Sequence, residues 1–289
     1  MHQIRFARRI GSALLASAVL LTLTALAQAS DRGTVTDEFH QVYPLSANGR
    51  IDVENINGPV HITVWDRNEV KVDAVKSAWS KDRLDEARIE VRSNPNSLSI
   101  RTEYPDHDHT FWSNRHDNPA SVEYTLVVPR HARLDEIKLV NGALDVQDVE
   151  GDVRASCVNG RLQAQNLGGR AELNTVNGEL DASIGHMSGG ELDLSAVNGT
   201  LRVTLPSDAK ANVQASTVSG RINNDFGLTV ARHDFVGRSL HGELGGGGTR
   251  VKLSNVNGRI EILRASDGRP QSPAKNLDND RDGDDDDRI

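Results

Sequence analysis

The densest group of side chains able to do chemistry lies in Y-P-D-H-D-H-T-F-W-S-N-R-H-D, which sets His107, His109 and His116 among Asp106, Asp108 and Asp117. Imidazole nitrogens and carboxylate oxygens are the donors that Zn²⁺ or Cu²⁺ takes, and H-x-H with a third His seven residues on can close a surface site. The spacing matches no established metal motif, so a plain polar insertion loop over 105–120 competes with that reading. A second group, D-N-D-R-D-G from Asp278 to Gly283, copies the first half of a calcium loop. The copy then fails, because Ile289 stands where a bidentate Glu is required. Cys157 is the single cysteine and falls on the inward side of its segment, where a thiol packs as a small hydrophobe.

Asp145, Glu172, Asp181 and Asp193 are outward carboxylates of the kind that some repeat-built enzymes cluster to cut polysaccharides. No cluster recurs here, and Arg154 falls one coil from Glu172, as in ordinary cross-strand pairing. G-x-S-x-G, H-E-x-x-H and phosphate-cradling patterns do not occur. The sequence therefore calls for no catalytic residue and no cofactor. A further candidate is a row of side-chain amides and glycines: Asn141-Gly142, Asn159-Gly160, Asn177-Gly178, Asn198-Gly199 and Asn257-Gly258. These are read as a turn ladder of stacked amides, with a ligand-binding row as the functional alternative.

What positions these groups is a repeat. Gly142, Gly151, Gly160, Gly169 and Gly178 are evenly spaced and divide the chain into nonapeptides: ALDVQDVEG, DVRASCVNG, RLQAQNLGG and RAELNTVNG. Position 2 holds Leu144, Val153, Leu162 and Ala171; position 4 holds Val146, Ala155, Ala164 and Leu173. Positions 3 and 5 are always polar, so each unit carries a half-buried strand. An apolar residue at position 7 breaks the alternation and is expected to point inward at a corner. Longer copies follow, ending in TRVKLSNVNGRIEIL, and an early copy, GRIDVENINGPVHITVW, begins at Gly49.

An antiparallel meander and a solenoid both fit this period. Small residues at position 4 and the lack of aromatics inside the repeats favour a narrow bore. The expected fold is therefore all-β, a single-stranded β-solenoid or β-roll with about 18–21 residues per coil. One short helix near residues 81–88, capped by Ser80, interrupts it. Six or seven coils are expected between Leu134 and Leu263, with the strand-like runs near 87–92, 97–104 and 121–129 flanking the first ones.

The ends read differently. Residues 1–29 have the basic, apolar and small-x-small zones of a secretory signal, followed by a lead-in over 30–44. Losing Arg5, Arg8 and Arg9 with the signal takes the formal charge from −8 to −11. Such a balance argues against nucleic acid as a partner. No later stretch is apolar enough for a transmembrane span after signal cleavage. Residues 266–289 lack apolar periodicity and are expected to form a disordered acidic tail.

At N-G-R-I-D-V (Asn48 to Val53), V-W-D-R-N-E-V (Val64 to Val70), the V-P-R strand end (Val128 to Arg130) and the V-N-G ladder from Val140, the chain resembles the bacterial adhesin-like domain family of the DUF4097 type. The resemblance spans about 45–265. It implies a β-solenoid, an exported envelope or surface location, and no catalytic residues. The function expected is a non-catalytic binding scaffold whose partners are envelope proteins or surface glycans. A polysaccharide-active enzyme and a metal-responsive envelope protein using the histidine loop are the alternatives.

Overall fold

Alternation over positions 2 to 5 of each nonapeptide makes a strand, and the glycine-bearing corners turn it. The computed structural model describes residues 34–105, 119–187, 190–233 and 237–277. In chain order the elements are β1 (Val35–Pro44), β2 (Arg50–Asn57), β3 (Val60–Trp65), β4 (Glu69–Ala78), α1 (Lys81–Glu86), β5 (Arg88–Asn94), β6 (Ser97–Glu103) and β7 (Ser121–Pro129). Then come β8 (Arg133–Asn141), β9 (Leu144–Gln147), β10 (Val153–Asn159), β11 (Leu162–Leu167), β12 (Ala171–Asn177) and β13 (Leu180–Ile184). The last are β14 (Leu192–Leu205), β15 (Ala211–Asn224), β16 (Ala231–Arg232), β17 (Arg238–Leu244), β18 (Thr249–Arg264) and β19 (Ala274–Asn276).

The strands stack as parallel rungs with two faces, and the fold is the expected β-solenoid. Face A runs β6–β2–β8–β10–β12 and continues through the first halves of β14, β18 and β15. Face B runs β7–β3–β9–β11–β13 and continues through their second halves. Eight parallel rungs result among the described residues, six of them from the segment where six or seven were expected. At one end β5, β4 and β1 cover the stack in antiparallel fashion; at the other end β17 covers face A, flanked by β16 and β19. The helix α1 is capped by Ser80, whose side chain accepts from the Arg83 N–H, and it buries Leu84.

Rung order does not follow chain order. The β18 rung lies between those of β14 and β15, and the β2/β3 rung lies between β6/β7 and β8/β9. Both inserted rungs carry N-x-N-G, and the extra Asn is buried in each: Asn55 and Asn255. Asn55 Nδ2 donates to the carbonyls of Gly58 at 3.0 Å and Val122 at 2.8 Å, and Asn255 Nδ2 donates to Gly199 O at 3.0 Å. Each amide thus ties its rung to the one beside it. Removing either would leave buried carbonyls without that donor, at a cost of about 1–3 kcal/mol.

Inside the bore, positions 2 and 4 are buried as the pattern predicts, and the alanines at position 4 let the walls approach. Burying a side chain such as Leu162 or Leu173 fully contributes about 1.5–3 kcal/mol. Position 7 splits into two cases. Val149 and Leu167 are buried, but the valines of V-N-G are exposed, contrary to the expectation that all point inward. The cause is local. In the V-N-G units strict alternation persists, so position 6 (Cys157, Thr175) takes the inward place. In the other units Asp148 and Asn166 adopt φ of 61° and 54°, which shifts the parity and turns position 7 in.

The chain end also differs from expectation. Ser272 N donates to Ser207 O at 2.9 Å, Leu277 N to His241 O at 3.2 Å, and β19 pairs with β17. Residues 266–277 therefore pack back on the last rungs rather than forming a disordered tail. Hydrogen bonds to the backbone of the Pro206 turn supply what the polar sequence lacks in apolar periodicity.

Candidate functional site

The V-N-G corners fall on one edge of the solenoid. Asn141 Nδ2 donates to Asn57 Oδ1, Asn159 to Asn141, Asn177 to Asn159, Asn198 to Asn177 and Asn257 to Asn198, each at 3.0 Å. The spacings along the chain include 18, 18 and 21 residues, the expected coil length. Asn57 is a member that the sequence reading did not name, although N-I-N-G in the early copy was its signal. An amide has two N–H donors and an oxygen with two lone pairs, and the ladder engages one of each. Asn141, Asn159, Asn177 and Asn198 thus keep one N–H and one lone pair that the ladder does not use, whereas Asn57 only accepts within it and also hydrogen-bonds Tyr104.

Glycine follows every ladder asparagine for a steric reason. At Gly178 φ is +156°, and a Cβ placed there would lie 1.8 Å from the carbonyl oxygen of Gly160 in the next rung. The corner backbones touch directly, and this keeps the amides in hydrogen-bond register.

Beside the ladder runs a ridge of aliphatic side chains, one per rung. Val140, Val158, Val176, Val197, Val256 and Val218 are exposed, each 38–53% accessible, and half-buried Ile56 extends the row. At about 4.8 Å per rung the seven positions span roughly 30 Å. The neighbouring outward row on face A is small and polar over five rungs, Ser156, Asn174, Ser195, Ser254 and Ser216, and charged over the next two, Lys138 and Glu54. The edge is therefore a long band of valine and amide, flanked by hydroxyls over five rungs and by charged side chains at the rungs of Val140 and Ile56.

The outward carboxylates do not assemble. Asp145 and Asp181 lie on face B, Glu172 and Asp193 on face A, because alternate nonapeptides feed opposite faces. Each meets a cation or histidine. His61 Nδ1 is 2.9 Å from Asp145, Arg202 Nη1 3.2 Å from Asp181, Arg154 Nε 2.9 Å from Glu172 and Lys252 Nζ 2.9 Å from Asp193. The Arg154–Glu172 pair is the one anticipated from the coil period. The four named carboxylates therefore form no single cluster, and Asp181 joins Glu179 and Glu261 around Arg202 instead.

Cys157 is buried, its Sγ 3.4 Å from Gly142 O, and burial pushes its thiol pKa up. Burial likewise pushes the Tyr124 phenol up to about 12, although Thr102 hydrogen-bonds it at 2.8 Å. His40 bridges Asp73 at 2.8 Å and Glu38 at 3.1 Å; those two hydrogen bonds raise its pKa. His107, His109 and His116, the D-N-D-R-D-G segment and residues 1–29 lie outside the described residues. Among the described residues no group of three or more His, Cys, Asp or Glu is placed to hold a metal ion, and no helix is long and apolar enough to cross a membrane.

The family model described as Toastrack DUF4097 matches residues 135–263, the segment that carries most of the V-N-G ladder on which the resemblance was read. The early copy from Gly49 lies outside the match. No curated protein matches the chain. Among solved structures the chain is similar to a "putative cell adhesion protein" from Clostridium sporogenes, with 11% identity, 79% of this chain and 100% of that one covered, and a TM-score of 0.42. It is also similar to a "putative adhesin" from Bacteroides fragilis (13%, 79% and 97%, 0.35) and to a "Putative lipid binding protein" from Parabacteroides distasonis (10%, 81% and 98%, 0.25). At such identities and scores these likenesses carry no argument about function.

Proposed function

We propose that this chain is a non-catalytic, exported cell-envelope or surface protein that binds its partners along the valine–asparagine edge. The observation that carries the reading is the ridge of exposed aliphatic side chains running roughly 30 Å beside the amide ladder. Exposed apolar surface in so ordered a band marks an interaction site more often than a solvated face. Supporting it are the secretory zones of residues 1–29, which point to a periplasmic or cell-surface location, and the four outward carboxylates, each held by a cross-strand partner rather than left free for acid–base work. The partners that fit a band of aliphatic and amide side chains are envelope proteins or surface glycans.

The test is adsorption of the purified protein to isolated bacterial envelopes. A Val176→Ser/Val197→Ser variant, with unchanged circular dichroism, is expected to adsorb at least tenfold more weakly. Equal adsorption of variant and parent would remove the edge from consideration as the binding surface.

A further inference from the structure

The ladder does not end on a bare rung at the capped end. Where Asn57 and Asn141 meet the end of β4 and the start of β7, a cavity of about 350 Å³ opens, lined by these two residues with Ser77, Trp79, Pro119 and Ser121. This volume falls within the range of small-molecule sites. Trp79 is 63% exposed in a chain where aromatics make up only 4% of residues. Trp65, by contrast, is tied down, its indole N–H donating to Glu69 O at 2.7 Å.

Trp79 stands on ordered backbone. Before it, Ser77 is paired with Ser121 of β7, and Ala78, itself buried, is paired with Val35 of β1. After it, Ser80 caps α1, its carbonyl accepting from Leu84 N at 3.0 Å. The indole is thus presented on a fixed corner, so little ordering cost accompanies binding there.

We propose that this cavity is a binding subsite for a neutral saccharide, stacked on Trp79 and hydrogen-bonded by the Asn57 and Asn141 amides and the Ser77 and Ser121 hydroxyls. The chemistry selects this class. The described lining is uncharged, so none of those residues offers an anion or a cation a charge partner. A purely apolar ligand would desolvate amides and hydroxyls without replacing their hydrogen bonds, at about 1–3 kcal/mol for each group. A pyranose ring has an apolar C–H face that suits the negative face of an indole, and a rim of hydroxyls that both donate and accept. Asn141, with a donor and a lone pair that the ladder does not use, matches that rim, and like amides continue from it along the edge. The inference rests on reading this edge as the binding surface and narrows it to one end and one ligand class.

The experiment titrates the full chain with neutral malto-, cello- and N-acetylchito-oligosaccharides, following tryptophan emission and calorimetric heat, with a proline-rich peptide as the competing probe. At least one saccharide is expected to bind and perturb the emission. Trp79→Ala should weaken that binding at least tenfold, about 1.4 kcal/mol, and Trp79→Phe should restore it to within about threefold. Because Trp79 is exposed, both variants should keep the parent's melting temperature, which is measured alongside. No saccharide binding, unchanged binding by Trp79→Ala, or binding of the peptide alone overturns the proposal. Envelope adsorption is measured on the same variants. Absent or Trp79-independent saccharide binding, with adsorption lost in Val176→Ser/Val197→Ser, would sink the saccharide subsite and leave the edge intact.

Discussion

Replacing Gly178 by Ala tests the corner directly. The added Cβ would sit 1.8 Å from Gly160 O and 2.7 Å from its carbonyl carbon, both backbone atoms in the adjacent rung. Neither can rotate away as a side-chain end would, so the two rungs must separate or the corner must unfold. Crowding of this kind costs about 1–3 kcal/mol in packed interiors, and the positive φ adds about 1–3 kcal/mol for a residue with a side chain. A loss of about 2–6 kcal/mol is therefore expected. The control is Gly246→Ala, where φ is +84° but nothing lies within 4 Å of the new Cβ. It carries the backbone term alone and should cost about 1–2 kcal/mol. Urea unfolding followed by far-UV circular dichroism compares the two, with the slope checked because repeat arrays can lose cooperativity. If Gly178→Ala falls within about 1 kcal/mol of Gly246→Ala, direct corner contact is not what selects glycine.

Three further outcomes follow from the side chains. Arg202 holds Glu179, Asp181 and Glu261 at 2.9, 3.2 and 3.0 Å, and Arg202→Met should cost about 1–3 kcal/mol, with a smaller difference in high salt, read by urea midpoints. The His40 pKa is raised by hydrogen bonds first to Asp73 and then to Glu38, with desolvation opposing them. Its contribution is full below the unfolded value near 6.5 and is lost as pH rises through the folded value. Stability of the parent relative to His40→Gln should therefore fall across that window, while an NMR titration places the folded pKa above 6.5. Cys157 should resist a thiol-specific reagent in the native protein and react only as denaturant opens the solenoid; rapid labelling without denaturant would contradict its burial.

The sequence by itself determined the unit of this fold. A polar residue at positions 3 and 5 and an apolar one at 2 and 4 leave one choice of inward face, and glycine after asparagine marks a corner that no larger residue fits. The coil length, the inward alanines and the Arg154–Glu172 pairing all follow from that local arithmetic. Position 7 was ambiguous, because Val158 and Leu167 look alike in a pattern; only the backbone, through the φ of Asn166, sends one in and the other out. The exposed ridge was hidden for that reason. The cavity beside Trp79 was hidden as well, since it joins residues from the early copy, the end of β4 and the start of β7.

Rung order, too, was decided by tertiary structure alone. Every V-N-G copy presents the same corner and the same rung edge, so periodicity permits any copy to stack on any other. The β18 rung lies between β14 and β15, and β2/β3 lies inside β6/β7, because covering strands occupy the outer ends. Buried Asn55 and Asn255 then tie the inserted rungs to their neighbours. A repeat fixes what each coil is, since that depends on near neighbours in the chain. Which coil meets which depends on long-range closure, and identical corners carry no information about it.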